Sequence, residues 1–370
     1  MKFVDLHAQY SILKQDIDRR ISDVVARCEF VMGAEVNEFE RRLAEFCDVE
    51  HVVAVASGTD ALLVALMAAD VGAGDEVITS PFSFAATVEA IVLLGARPVF
   101  ADIDAATFNI DPEQIEAAVT RETRAIIAVS LYGQCAQMDA IEEIAKRHNC
   151  IVIEDAAQSI GASYEGRRSG SLSEMACTSF YPTKPLGCYG DGGACLTKDS
   201  HLAAQMRMIR DHGQDGRYQH RRLGINSRLD TLQAAVLLAK LPTFEDELDA
   251  RERAATRYGE LFEASNLAGV KLPEVRAGNR SAFAQYTIRI PQRDQVQRLL
   301  TERGIPSAVH YPRSLHQQPA FAKFYDPKQR LPVAEQAATE VLSLPMHPFL
   351  SMADQKTVVN GLRDAIQQLG

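Results

Sequence analysis

Over the first two thirds of the chain, short apolar runs alternate with segments of helical period. Residues 51–56 (HVVAVA) are apolar on both faces and predict a buried strand, with 60–69 (DALLVALMAA) as the buried helix after it. Residues 76–78 lead to a turn at Ser80-Pro81, and 87–94 are again helical. Further short runs at 98–102 (PVFAD), 125–129 (AIIAV) and 150–153 (CIVI) are separated by amphipathic helices over 111–119 and 138–148. Strands apolar on both faces and spaced by helices predict βα repeats around a mostly parallel sheet, an α/β architecture.

The texture changes near Thr243. A charged helix over 245–263 runs into the Gly- and Pro-punctuated stretch 269–278. Alternating 285–290 (QYTIRI) predicts a half-buried antiparallel strand, with helices over 293–303 and 333–341. We therefore expect a large α/β domain over residues 1–245 and a smaller α+β domain over 246–370, joined by the long helix.

Composition changes this picture little. With 370 residues, 46% hydrophobic and 24% charged, the chain can bury an ample core. A net charge of −10 argues against an extended nucleic-acid face, which needs basic surface. Seven cysteines without a CxxC pair read as reduced thiols. The first residues lack the apolar core of a signal peptide, and no apolar run approaches a membrane span. The expectation is a soluble cytoplasmic protein.

The chemistry begins with a lysine. Lys184 lies in CTSFYPTKPLGCYGDGG, a segment without another charge until Asp191, whereas the other nine lysines read as solvated surface lysines. Desolvation disfavours the ammonium form, and a neutral amine can form a Schiff base with an aldehyde. Asp155 ends the apolar strand in IVIEDAAQS, at the edge where open parallel sheets bind ligands. There it serves either as an anion for a protonated ring nitrogen or as the cap of a following helix. Adjacent Glu154 would point to the opposite face. Ser57-Gly58-Thr59-Asp60 joins a strand to a helix and can hold a phosphate on free N–H groups.

Competing motifs are missing. No GxxxxGK[ST], strand-borne dinucleotide fingerprint, HExxH or GxSxG is present, and GDGG at 190–193 reads as a tight hairpin or bend. The Arg- and His-rich stretch 217–230 reads partly as a solvated loop. Asn226 and Arg228, beside the apolar helix 231–241, are placed to point into a site, and Arg suits a carboxylate or phosphate.

In order, SGTDAL, EDAAQS, TSFYPTKPLG, GDGG, NSRLDTLQAA and VHYP make the chain resemble the DegT/DnrJ/EryC1/StrS family of sugar aminotransferases, over nearly its whole length. The resemblance implies the fold type I architecture of pyridoxal-phosphate-dependent transferases. It implies pyridoxal 5'-phosphate, alternating with pyridoxamine phosphate, as cofactor. Lys184 matches the lysine that bonds the cofactor and shuttles the proton, Asp155 the partner of the pyridine nitrogen, and Gln158 the glutamine beside the ring hydroxyl. Phe84 matches the aromatic that stacks on the ring, without the hydroxyl or indole that many relatives carry there. Gly58, Thr59 and Ser179 match phosphate ligands, and Asn226 one donated by a second subunit, so a homodimer with shared sites is implied.

Arg228, His310 and Tyr311 match sugar contacts, Arg228 facing a uronic carboxylate. The likeness is nearest to members that use L-glutamate to aminate C3 of a UDP-linked 2-acetamido-2-deoxy-3-keto-glucuronic acid for bacterial O-antigen. Two other readings stay open. One is amination at C4 of a UDP- or dTDP-linked 4-keto-6-deoxysugar. The other is a non-catalytic regulator that binds the cofactor or a sugar nucleotide.

Overall fold

A computed structural model describes residues 1–369. Seven strands form the central sheet: β1 His51–Val55, β2 Glu76–Thr79, β3 Arg97–Phe100, β4 Thr123–Val129, β5 Ile151–Asp155, β6 Met175–Ser179 and β7 Gly193–Thr197. Their order across the sheet is β1-β7-β6-β5-β4-β2-β3. Neighbours are parallel except at β7, which runs antiparallel to both β1 and β6. The mostly parallel sheet is present as expected, with this single reversal. The loop between β6 and β7 makes the reversal, because antiparallel neighbours need no crossover helix.

The strands are buried on both faces, so their side chains divide by alternation. Val52 and Ala54 of β1 join one apolar cluster with Val36, Phe39 and Leu43 of helix α2 (Ala34–Cys47). Val53 and Val55 join the opposite cluster with Ala61, Leu62 and Ala65 of α3 (Gly58–Ala68) and with Ala90 and Ile91 of α4 (Ala86–Leu93). Helix α5 (Pro112–Ala118) is capped by Asp111, whose carboxylate accepts from the Glu113 amide at 3.0 Å. Helix α6 (Met138–His148) ends on Lys146, Arg147 and His148, which complement its dipole, before Asn149 turns left-handed at φ 55°. Helix α7 (Ser200–Arg210) follows β7. N-terminal helix α1 (Leu6–Arg27) lies along α8 (Thr231–Lys240), with Ile17 of α1 fully buried against Val236 and Ala239.

Helix α9 (Phe244–Ser265) links two cores. Phe244 and Leu248 belong to the sheet's cluster, whereas Ala254, Tyr258 and Phe262 belong to a smaller one. That smaller cluster also takes β8 (Tyr286–Arg289), α10 (Arg293–Glu302), β9 (Val341–Leu344) and α12 (Met352–Leu369). β8 and β9 pair antiparallel, and the expected boundary at 245/246 falls in the first turn of α9. Helix α11 (Pro332–Glu340) packs Ala334, Ala337 and Ala338 against Phe82 and Phe108. Among the described residues no helix is long and apolar enough to cross a membrane, and all seven cysteines are free.

Candidate active site

Three strand ends meet at one edge of the sheet. Val55 of β1, Ser179 of β6 and Gly193 of β7 stand in register, with Asp155 closing neighbouring β5 against Cys177. Beyond them opens a cavity of about 540 Å³ lined by residues from the β1–α3 turn, α4, β5, the β6–β7 loop and 310–311. Gly58, Thr59, Phe84, Asp155, Gln158, Ser179, Lys184, His310 and Tyr311 all line it. These come from five separate stretches of sequence, and the fold brings them to one place.

The cavity floor is built around a buried anion. One oxygen of Asp155 accepts from the Ala157 amide at 3.2 Å, the other from the Thr87 hydroxyl of α4 at 3.0 Å. Burial pushes the Asp155 carboxyl above its usual range, while the Ala157 amide, the Lys184 charge and the Thr87 hydroxyl pull it back. Glu154 faces away as expected, bonded to Ser169 at 2.6 Å and the Gly170 amide at 2.8 Å on the far face. No helix follows Asp155, so its bond to Ala157 closes a turn and the helix-cap alternative falls away. Gln158 accepts from the Tyr132 amide at 2.7 Å and donates to the Tyr311 hydroxyl at 3.3 Å. The Phe84 ring stands 6.3 Å from that of Tyr311, and 58% of Phe84 is exposed at the mouth.

Lys184 rides the β6–β7 loop into the cavity. Burial pushes its ammonium below the usual lysine range, against the pull of Asp155. His310, hydrogen-bonded to Ser343 at 2.9 Å, is pushed down to about 4 by burial and by the Lys184 charge, and so is neutral at physiological pH. Burial likewise pushes the Tyr311 hydroxyl up. One sequence expectation needs correcting. Lys240 is no surface lysine: it is 1% exposed, donates to the Gly187 carbonyl at 2.6 Å and lies under the Tyr189 ring. It closes the apolar helix 231–240, between Ala239 and Leu241.

The phosphate expectation has a physical basis. Helix α3 starts at Gly58, two residues earlier than the pattern suggested, because Ser57 caps it by accepting from the Asp60 amide at 3.0 Å. Among the described residues the Gly58 and Thr59 amides have no protein acceptor and face the cavity end of the helix. A Cβ on Gly58 would stand 2.7 Å from that of Ser179, so only glycine lets the Ser179 hydroxyl approach this N-terminus. An anion cradle, a buried carboxylate suited to a cationic nitrogen, a desolvated amine and an exposed aromatic face together fit pyridoxal phosphate.

Two expected residues lie outside this cavity in the chain that bears them. Asn226 is exposed, and Arg228 pairs with Asp211 at 2.6 Å. Ser57, part of the turn singled out for phosphate, also lines the cavity, as do Thr87, Thr183 and Gln285, which the motifs did not single out. Thr87 and Gln285 look like ordinary positions of a helix and a strand.

Comparison with known proteins finds relatives over nearly the whole chain. The model of the DegT/DnrJ/EryC1/StrS aminotransferase family matches residues 11–363. The UDP-2-acetamido-2-deoxy-3-oxo-D-glucuronate aminotransferase of Pseudomonas aeruginosa is 51% identical over 362 residues, 98% of this chain and 99% of its own. A DegT DnrJ EryC1 StrS aminotransferase from Brucella abortus superposes with a TM-score of 0.95 at 46% identity, covering 98% of this chain and 99% of the other. NtdA of Bacillus subtilis, solved with its cofactor PMP bound, superposes with a TM-score of 0.90 at 31% identity, covering 99% of this chain and 83% of the other.

Proposed function

The chain belongs to the DegT/DnrJ/EryC1/StrS aminotransferase family, a pyridoxal-phosphate-dependent family of fold type I, and we propose that it transfers the amino group of L-glutamate to C3 of UDP-linked 2-acetamido-2-deoxy-3-keto-glucuronic acid. The observation that carries the chemistry is the convergence of Lys184, Asp155 and the α3 N-terminus in one cavity. The substrate rests on the 51% identical relative, which bears that activity in its name. In this reading the enzyme serves bacterial O-antigen synthesis in the cytoplasm.

When bound, pyridoxal phosphate supplies a carbon that carries the amino group and a ring that draws electrons from the bond being broken. The Gly58 and Thr59 amides and the Ser179 hydroxyl would hold its phosphate, and Phe84 would cover its ring. Asp155 stays anionic against the ring nitrogen, helped by the Thr87 and Ala157 donors. Lys184 Nζ would take the proton from Cα of glutamate and later deliver a proton to C3 of the sugar. A desolvated amine, its ammonium form disfavoured by burial, suits both directions. His310 and Tyr311 stand by the sugar, His310 as a neutral ring.

The active unit in this proposal is a homodimer. Asn226 reaches the phosphate of the partner's pocket and Arg228 the uronic carboxylate, its pairing with Asp211 giving way to the substrate. Exposed Phe30, Val31 and Met32 flank this segment, Phe30 accepting from the Thr231 amide at 3.0 Å. An apolar patch of this kind suits a subunit interface. The test offers the glutamate-treated enzyme a UDP-linked 3-keto uronic acid and, separately, a UDP-linked 4-keto-6-deoxysugar. Turnover of the first alone supports the proposal; turnover of the second alone keeps the aminotransferase and discards the substrate. A chain that binds no pyridoxal phosphate would instead support the regulator reading.

A further inference from the structure

Helix α8 lies behind the loop that carries Lys184. The loop's internal backbone bonds are few: Phe180 N–H to the Gly192 carbonyl at 2.7 Å, and Lys184 N–H to Tyr181 and Cys188 N–H to Phe180 at 2.8 Å each. Its outer part is held by α8 at two points. Gln233 accepts from the Tyr189 amide at 2.8 Å and donates to the Tyr189 carbonyl at 3.4 Å. Seven residues on, two helical turns along the same face, Lys240 donates to the Gly187 carbonyl at 2.6 Å, with its Nζ 4.4 Å from the Tyr189 ring centroid.

The grip at Gly187 reaches both sides of Lys184. A Cβ on Gly187 would stand 2.5 Å from the Pro182 carbonyl, so the two strands of the loop pass in backbone contact there. Fixing Gly187 therefore fixes Pro182 as well, and Lys184 sits between them. The arrangement is costly, because a buried ammonium needs compensation. Lys240 has the carbonyl, the face of Tyr189 and the more distant Glu247 of α9, which is held by Gln9 of α1 at 2.9 and 2.8 Å. Burial outweighs these partners and pushes Lys240 down to about 8. An apolar residue could fill the same volume without that cost, so packing alone does not account for a lysine here.

We infer that Lys240 is a positioning residue, whose bond to the Gly187 carbonyl holds the Lys184 loop in register with Asp155 and the phosphate cradle. The role rests on the reading of Lys184 as the proton-transferring amine. A charge-assisted bond to a buried carbonyl is strong, and no other side chain donates to Gly187 among the described residues.

The experiment compares wild type with Lys240→Met by amide hydrogen exchange of the cofactor-free protein and by steady-state kinetics of the loaded one. In Lys240→Met, exchange across 180–192 rises about tenfold or more while β4 and β5 keep their protection, as expected from loss of one charge-assisted bond. The kcat falls by a similar factor with KM for glutamate within about twofold, and Lys240→Arg restores most of both. Unchanged exchange in the loop, or an equal rise across the whole sheet, overturns the inference. Should Lys240→Met not fold, Lys240→Gln is read by the same two criteria. If wild type itself shows no transfer from glutamate, the proposed function falls, while the exchange comparison still reads the loop.

Discussion

Removing one hydroxyl beneath the cofactor site should weaken cofactor binding by one to two orders of magnitude. Thr87 is 1% exposed, and its Oγ1 donates to Asp155 at 3.0 Å while meeting the Ser83 hydroxyl at 3.1 Å. Thr87→Val keeps the shape and deletes the donor. A hydrogen bond to a charged group is worth roughly 1.5–3 kcal/mol, and here the acceptor is a buried carboxylate with only one other protein donor among the described residues. Its loss pushes the Asp155 carboxyl further up, in the direction in which burial already pushes it.

The same figure is lost from the carboxylate that faces the ring nitrogen, so cofactor affinity falls by about 10–100-fold. Absorbance titration of the cofactor-free protein with pyridoxal phosphate measures this. Ser83→Ala, which touches Thr87 but not Asp155, serves as the control and changes affinity by about threefold at most. If Thr87→Val binds within twofold of wild type, Asp155 is not the group that holds the cofactor nitrogen.

Other outcomes follow from the same geometry. The Asp155 carboxyl is raised in the fold, so its stabilising contribution is full below the unfolded value and lost as pH rises through the folded one. Cofactor-free Asp155→Asn should therefore melt on the order of 1–3 °C above wild type at pH 8, with no advantage below pH 4, read by calorimetry. His310, already down at about 4, contributes no ionisation near neutrality, so His310→Asn lowers the rate but leaves the pH–rate profile between about 5 and 9 unchanged in shape. Disappearance of a limb near 6.5 in that variant would contradict this. Mixing inactive Lys184→Ala and Asn226→Ala subunits should restore roughly a quarter of wild-type activity, because a mixed dimer keeps one site with neither lesion. No recovery after subunit exchange would place Asn226 outside the partner's pocket.

Lys184 and Asp155 were legible because each breaks its local pattern: an isolated charge in an aromatic and proline-rich loop, and an acid closing a buried strand. Strand alternation alone separated Glu154 from the site. Thr87 could not be read, because its partner lies 68 residues away and a threonine on a helix face carries no signal of its own. Lys240 was misread although Leu238, Ala239 and Leu241 around it are apolar, and its packing under Tyr189, a contact between α8 and a loop, lies outside what local sequence shows. The reversal of β7 was equally hidden, since a buried antiparallel strand is as apolar as a parallel one. Asn226 and Arg228 mark the limit of single-chain reading, for their placement by motif invokes a second copy.

The central claim, that this chain moves an amino group from glutamate to a nucleotide-linked ketone, is tested most directly by following the nitrogen. The loaded enzyme is given nitrogen-15-labelled glutamate and the UDP-linked 3-keto uronic acid, and the sugar product is weighed by mass spectrometry. The account predicts that the label appears at C3 of the amino sugar with an equal amount of 2-oxoglutarate released, and that Lys184→Ala abolishes both. An amino sugar without the label, or label transfer that survives loss of Lys184, would contradict it.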